Sequence, residues 1–162
     1  MACVRSLRAE VVRRHGEYPH PPRLAEAEER ALRNAETVRT IDEAFGRGDV
    51  SAILDTLDDA VEWETRAPVP AVPWLQCRSG RANIAGFCEA IAALTITRFE
   101  PHAIFDGGDK VSVRIAFEAT CRGKSYAIPN DGHLWEVNLA GKAVRYDHVT
   151  DTAQMSTMAR AE

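Results

Sequence analysis

The 162-residue chain predicts a single α+β domain. Two observations carry that reading. In the first half, apolar residues recur at helical spacing, at Leu24, Ala27, Ala31, Val38, Ile41 and Phe45. In the second half they alternate with period two, over 95-TITRFEPHAIF-105 and 110-KVSVRIAFEAT-120. Helical segments that precede and interrupt a run of hairpin-linked strands give an α+β pattern with a mostly antiparallel sheet.

Residues 1–23 stand apart from this pattern. Val4, Leu7 and Val11 lie among arginines, and 15-HGEYPHPPR-23 is too rich in proline for regular structure. A flexible arm and linker is expected here, followed by the domain over 24–155 and a tail over 156–162. His15 and His20 fall in the arm and are set aside as site residues.

The first helix starts at Leu24, and Gly46 and Gly48 end it. Asp49 is a suitable N-cap for a second, short helix carrying Val50, Ile53, Leu54 and Leu57. The segment 60-AVEWET-65 alternates as a strand, with Val61, Trp63 and Thr65 on one face. The proline-rich 66-RAPVPAVPWLQCR-78 predicts a semi-rigid segment that either closes Trp74 over a cavity mouth as a flap or stands as a static loop. Ser79 is the expected cap of a third helix with an apolar stripe of Ile84, Phe87, Cys88 and Ile91. Strands follow in series, joined at 106-DGGD-109 and 122-RG-123.

Composition excludes several classes. Hydrophobic residues make up 45% and charged residues 27%, as in soluble globular domains. A net charge of −4 gives no electrostatic reason for nucleic acid or an anionic membrane as partner. The apolar runs are too short to cross a bilayer. Cys3, Cys77, Cys88 and Cys121 show no C-x-x-C spacing and read as reduced thiols. With no apolar leader visible, the cytoplasm is the expected compartment.

The most chemical feature is the hairpin 133-HLWEVNLAGKAVRYDH-148. With a two-residue tip at Ala140 and Gly141, Val137 stands opposite Val144, Trp135 opposite Tyr146, and His133 opposite His148. All six share one face, since side chains alternate with period two. Directly opposed residues have Cβ atoms about 4.5–5.5 Å apart, so two imidazoles there can share a substrate. Trp63, Trp135 and Tyr146 are expected to shape an aromatic cavity around them. Val113, Ile115 and Phe117 supply an apolar wall, with His102 opposite Val113 across the 107–108 tip. Asp147 is out of phase with His148, and a bulge would bring it inward. His102 and His133 would be separated by a strand, about 9–10 Å. That is too wide for shared ligation at zinc–nitrogen distances of about 2.0–2.1 Å, so no metal is expected.

The helix end 44-AFGRGD-49, the strand entry 58-DDAVEWE-64, 79-SGRANIAGF-87 and the closing 141-GKAVRYDHVTD-151 together resemble the nuclear transport factor 2-like superfamily. That superfamily includes ketosteroid isomerases, SnoaL-like polyketide cyclases, scytalone dehydratase and limonene epoxide hydrolase. The resemblance covers roughly Ala31 to Thr152. It implies a cone-shaped barrel, a curved, mostly antiparallel sheet wrapped around three N-terminal-half helices, and a homodimer. Departures from the relatives are specific. Ile41 stands where ketosteroid isomerases keep a tyrosine, their base falls near Trp63 beside Glu64, and His133 replaces their carboxylic acid. Limonene epoxide hydrolase resembles the chain at 123-GKSY-126 and 67-APVPAVP-73. Its arginine and paired aspartates meet Arg114 followed by Ala116, and His148 with Asp147 one place off. SnoaL-like cyclases place one acid–base residue in an apolar cone without metal or cofactor, a role open to His133 or His148.

The expected function is cofactor-independent acid–base catalysis on a small apolar carbonyl compound such as a polyketide intermediate, by cyclisation, isomerisation or dehydration. The catalytic candidates are His133, His148 and, secondarily, Asp147. Two alternatives stand beside it: a hydrolase with water polarised by His148 and Asp147, and a non-catalytic module that sequesters or dimerises.

Overall fold

A computed structural model describes residues 24–65 and 69–160. The expected arm at 1–23 and the first residues of the flap, 66–68, lie outside the described residues. Among the described residues there are four α-helices: α1 (Leu24–Arg47), α2 (Val50–Thr56), α3 (Ala85–Ile91) and α4 (Thr152–Arg160). Six strands are β1 (Leu57–Thr65), β2 (Arg78–Ser79), β3 (Thr95–Asp106), β4 (Lys110–Cys121), β5 (Lys124–Val137) and β6 (Ala143–Val149). No helix among the described residues is long and apolar enough to cross a membrane.

Local chemistry sets the helix ends. Gly48, at φ 68°, supplies the left-handed residue that stops α1. The Asp49 carboxylate accepts from the Ala52 amide at 3.1 Å and starts α2. Ser79 does not cap α3. It lies in β2, where its hydroxyl bonds Glu62 at 2.9 Å. The C-terminal helix was not anticipated: Asp151 accepts from the Ala153 and Gln154 amides, and α4 then buries Met155 and Met158.

The sheet runs β2-β1-β6-β5-β4-β3. All neighbours are antiparallel except β1 and β6, which are parallel. This order overturns the expected barrel. The sheet is open, with β2 and β3 as edges that do not meet. Both edges are irregular: β2 is two residues long, and β3 loses register at Thr97 and at His102 beside Pro101. Strands so interrupted suit an edge and do not template closure. The apolar face is filled instead by helices, with Val38, Ile41, Ile53, Phe87 and Met155 joining the sheet core.

One irregularity positions the site. Arg122 and Gly123 form a two-residue tip with φ of 51° and 79°, the geometry of a tight hairpin turn. Continued without interruption, that tip would put His133 and Val113 on opposite faces. Instead, Phe117 pairs with Ile128 while Ile115 pairs with Asp131, so Pro129 and Asn130 together oppose Ala116. The extra residue shifts the alternation of β5 by one. Val113 thereby pairs with His133, and Ile128, Asp131, Trp135 and Val137 are all buried.

Candidate active site

The site grows from the regular part of β5 beyond that bulge. Asp131, His133 and Trp135 follow one another on one face at period two. Across the β5–β6 ladder His133 stands opposite His148, and Trp135 opposite Tyr146. Parallel pairing with β1 adds Trp63 opposite Tyr146. The result is an aromatic floor with ring centroids 4.2 Å (Trp63–Tyr146) and 4.5 Å (Trp135–Tyr146) apart. The two imidazoles lie one row beyond it, 5.3 Å apart and nearly perpendicular.

Each imidazole has its own carboxylate. His148 Nε2–H donates to both oxygens of Asp131, at 3.1 and 3.0 Å, with both side chains buried. His133 Nδ1 lies 3.8 Å from Asp42 Oδ1, too far for a good hydrogen bond. Asp42 Oδ2 and His133 Nδ1 are both buried with no hydrogen-bond partner among the described residues. The site therefore contains one tight carboxylate–imidazole pair and one loose one.

Electrostatics separate the groups further. Burial alone would raise the Asp131 carboxyl, but the His148 hydrogen bond and the electrostatic interaction with the two neighbouring imidazoles hold it below the ordinary value. Burial, reinforced by Asp131, Asp42 and Asp147, pushes the Tyr146 phenol well above its usual range and keeps it a neutral donor. Burial likewise raises the Cys88 thiol, which lines the cavity as an uncharged group. Among the described residues, Asp131, His133 and His148 each place one ligand atom within 4.8 Å of the others. Two ligands on one zinc ion lie no more than about 4.2 Å apart, so an ion there requires the side chains to converge.

Of the residues singled out in the sequence, Trp63, Phe117, Trp135, Tyr146, His133 and His148 line the cavity. Asp42, Phe45, Phe99, Asp131 and Met155 also line it and were missed. Asp131 was signalled by its two-residue spacing from His133. Asp42 was masked by its charge, at the border of a helical stripe whose neighbours Val38 and Ile41 are apolar.

Other candidates fall elsewhere. Val113 and Ile115 are fully buried in the core beside the cavity and do not line it. His102 is the extra residue of the β3 register shift: Ile104, not His102, pairs with Val113, and His102 is exposed. Asp147 stays out of phase because β5 and β6 pair without a break from Gly132–Val149 to Glu136–Arg145. It is buried on the other side, 3.8 Å from Arg145 Nε, and does not join His148 at the cavity. Trp74 is not a cover over the mouth. It is buried, with its indole N–H donating to Met155 Sδ at 3.3 Å.

A family model described as the SnoaL-like domain matches residues 38–152. No curated protein matches. Solved structures share the fold. An NTF2-like protein of unknown function from Burkholderia pseudomallei K96243 superposes with a TM-score of 0.72 at 24% identity, over 80% of this chain and 98% of that one. TerC, co-crystallized with polyporic acid, gives 0.71 at 24%, over 80% and 99%. A candidate polyketide cyclase from Xanthomonas campestris pv. campestris gives 0.62 at 20%, over 80% and 98%.

Proposed function

We propose that this chain, which belongs to the SnoaL-like domain family, is an acid–base enzyme that moves a proton next to the carbonyl of a small, largely apolar compound. The observation that carries this reading is the unequal pairing of its two imidazoles: His148 bonded to both oxygens of Asp131, and His133 beside Asp42 at 3.8 Å. Enolisation needs a base at carbon and a donor at oxygen, and it gains most where water is excluded.

The roles follow from the partners. Asp131 balances positive charge on His148, so His148 serves as the donor that stabilises developing charge on the carbonyl oxygen. Asp42 faces His133 Nδ1 and favours the proton there, leaving the Nε2 lone pair of His133 as the base. The neutral Tyr146 phenol is a second donor to the enolate. The aromatic floor excludes water and takes a flat, apolar molecule. These steps use protein groups alone. That a chain of this fold has been co-crystallized with polyporic acid is in keeping with a small organic ligand here.

The test is α-hydrogen exchange in deuterium oxide, followed by NMR across a panel of methyl and cyclic ketones. The native chain is expected to accelerate exchange, and His133→Ala and His148→Ala each to lose at least about a hundredfold, within the range of general acid–base contributions. Binding of the ketones with no exchange in the native chain would instead make this a sequestering module.

A further inference from the structure

The inner cavity is small. About 40 Å³ of free space lies against the histidines, whereas a cavity of about 150 Å³ is what holds a benzene molecule. The reacting carbonyl and its immediate neighbours fit there, and the rest of a larger substrate must lie elsewhere.

A second space of about 430 Å³ adjoins it, and Asp42 and Phe99 line both. One wall of this groove is a single stripe of α1, Arg39, Asp42, Glu43 and Gly46, at spacings of three and four. The other is β3, through Phe99, Pro101 and Ile104. Phe99, which lines both spaces, packs on Phe45 of the inner cavity with ring centroids 4.6 Å apart.

We propose that the groove between α1 and β3 binds the neutral, apolar tail of the substrate whose carbonyl head reacts in the inner cavity. Placing the head rests on the acid–base reading, while the groove itself rests on geometry alone. Three observations identify the occupant. The groove adjoins the cavity, since Asp42 and Phe99 line both. Its β3 wall is apolar. Its charged rim is paired along the helix, Arg39 with Glu36 at 3.0 Å and Glu43 with Arg47 at 3.8 Å, so among the described lining residues the single cation, Arg39, already faces a carboxylate. Gly46 keeps the groove open: a Cβ added there would meet nothing within 4 Å.

Calorimetric titration of the whole chain with 2-butanone and 2-decanone tests this, since the two ketones share a head and differ only in tail length. Native protein is expected to bind 2-decanone at least about tenfold more tightly, from methylene burial in the groove. Gly46→Leu is expected to cut that preference about fivefold or more, and Ile104→Thr, a conservative change on the opposite wall, about threefold. Equal affinities in native protein, undetectable 2-decanone binding, or an unchanged preference in both variants while they melt like native protein would overturn the proposal. The two readings fail separately. Exchange of 2-butanone that His133→Ala abolishes, with no length preference, keeps the chemistry and removes the groove. A length preference without exchange does the reverse.

Discussion

His148 and Asp131 are joined by two contacts, at 3.1 and 3.0 Å, from one imidazole N–H to both oxygens of one buried carboxylate. They lie 17 positions apart in the chain. The pair places an anion where an imidazolium would otherwise be desolvated, and it leaves His133 as the less constrained ring beside it.

Asp131→Asn removes that anion. Activity is expected to fall at least a hundredfold, and stability by about 3 kcal/mol, since a buried charged partner is left unbalanced. The pH dependence has a definite sign. The folded Asp131 carboxyl lies below its unfolded value, so its contribution is full above the ordinary carboxylate range and is lost as pH falls through the folded value. Thermal melts of native and variant protein from about pH 6 to pH 3 should therefore converge on the acid side. A gap that stays constant would disprove the assignment.

Asp42→Leu should act in the opposite direction on stability. Its Oδ2 is buried with no hydrogen-bond partner among the described residues, and α1 favours leucine at this position. A gain of about 1 kcal/mol is expected from removing a poorly satisfied buried carboxylate, together with a loss of at least tenfold in turnover. Chemical denaturation and α-hydrogen exchange, measured on the same preparation, report both. A variant that is less stable and fully active would refute this.

Tyr146 is expected to remain a phenol where exposed tyrosines ionise, about pH 10. Absorbance titration of native and Tyr146→Phe protein should coincide up to the pH at which the fold is lost. The raised phenol also contributes stability that is present below the unfolded value and is lost as pH rises above it. Tyr146→Phe should thus flatten the alkaline fall in stability. A phenolate signal missing only from the variant at about pH 10 would exclude the buried, neutral donor.

Asp151→Ala tests whether the C-terminal helix is part of the site. Asp151 caps α4, and Met155 on that helix both lines the cavity and receives the Trp74 indole N–H. Loss of the cap should cost about 1 kcal/mol. The Michaelis constant should rise severalfold with the maximal rate nearly unchanged, as uniform binding is lost. An unaltered Michaelis constant would place α4 outside the binding wall.

Much of this arrangement is written in local pattern. The stripe of Val38, Ile41 and Phe45 identifies α1, and period-two alternation identifies the face shared by His133, Trp135, Tyr146 and His148. Val137 departs from the simple count: it pairs with Ala143, not Val144, because the register shifts after Glu136. Other features depend on relations that alternation does not encode. Asp42 reaches His133 from a helix ninety-one residues earlier, so only tertiary packing brings them together. Closure of the sheet is decided by whether its two end strands meet, a long-range outcome that family resemblance misjudged here. His102 was misplaced because a register shift beside Pro101 moved Ile104 opposite Val113.

The two-against-one pairing at Pro129 and Asn130 has a consequence for how this chain tolerates length changes. Asp131, His133 and Trp135 all take their inward direction from that single added residue. Deleting one residue at 129 or 130 leaves every acid and base of the site present in the chain. It obliges β5 either to turn all three outward or to slip against its neighbour β6 and part His133 from His148. The function proposed here is therefore encoded as much in a count of residues as in their identities, and a one-residue deletion there should be more damaging than any single side-chain exchange.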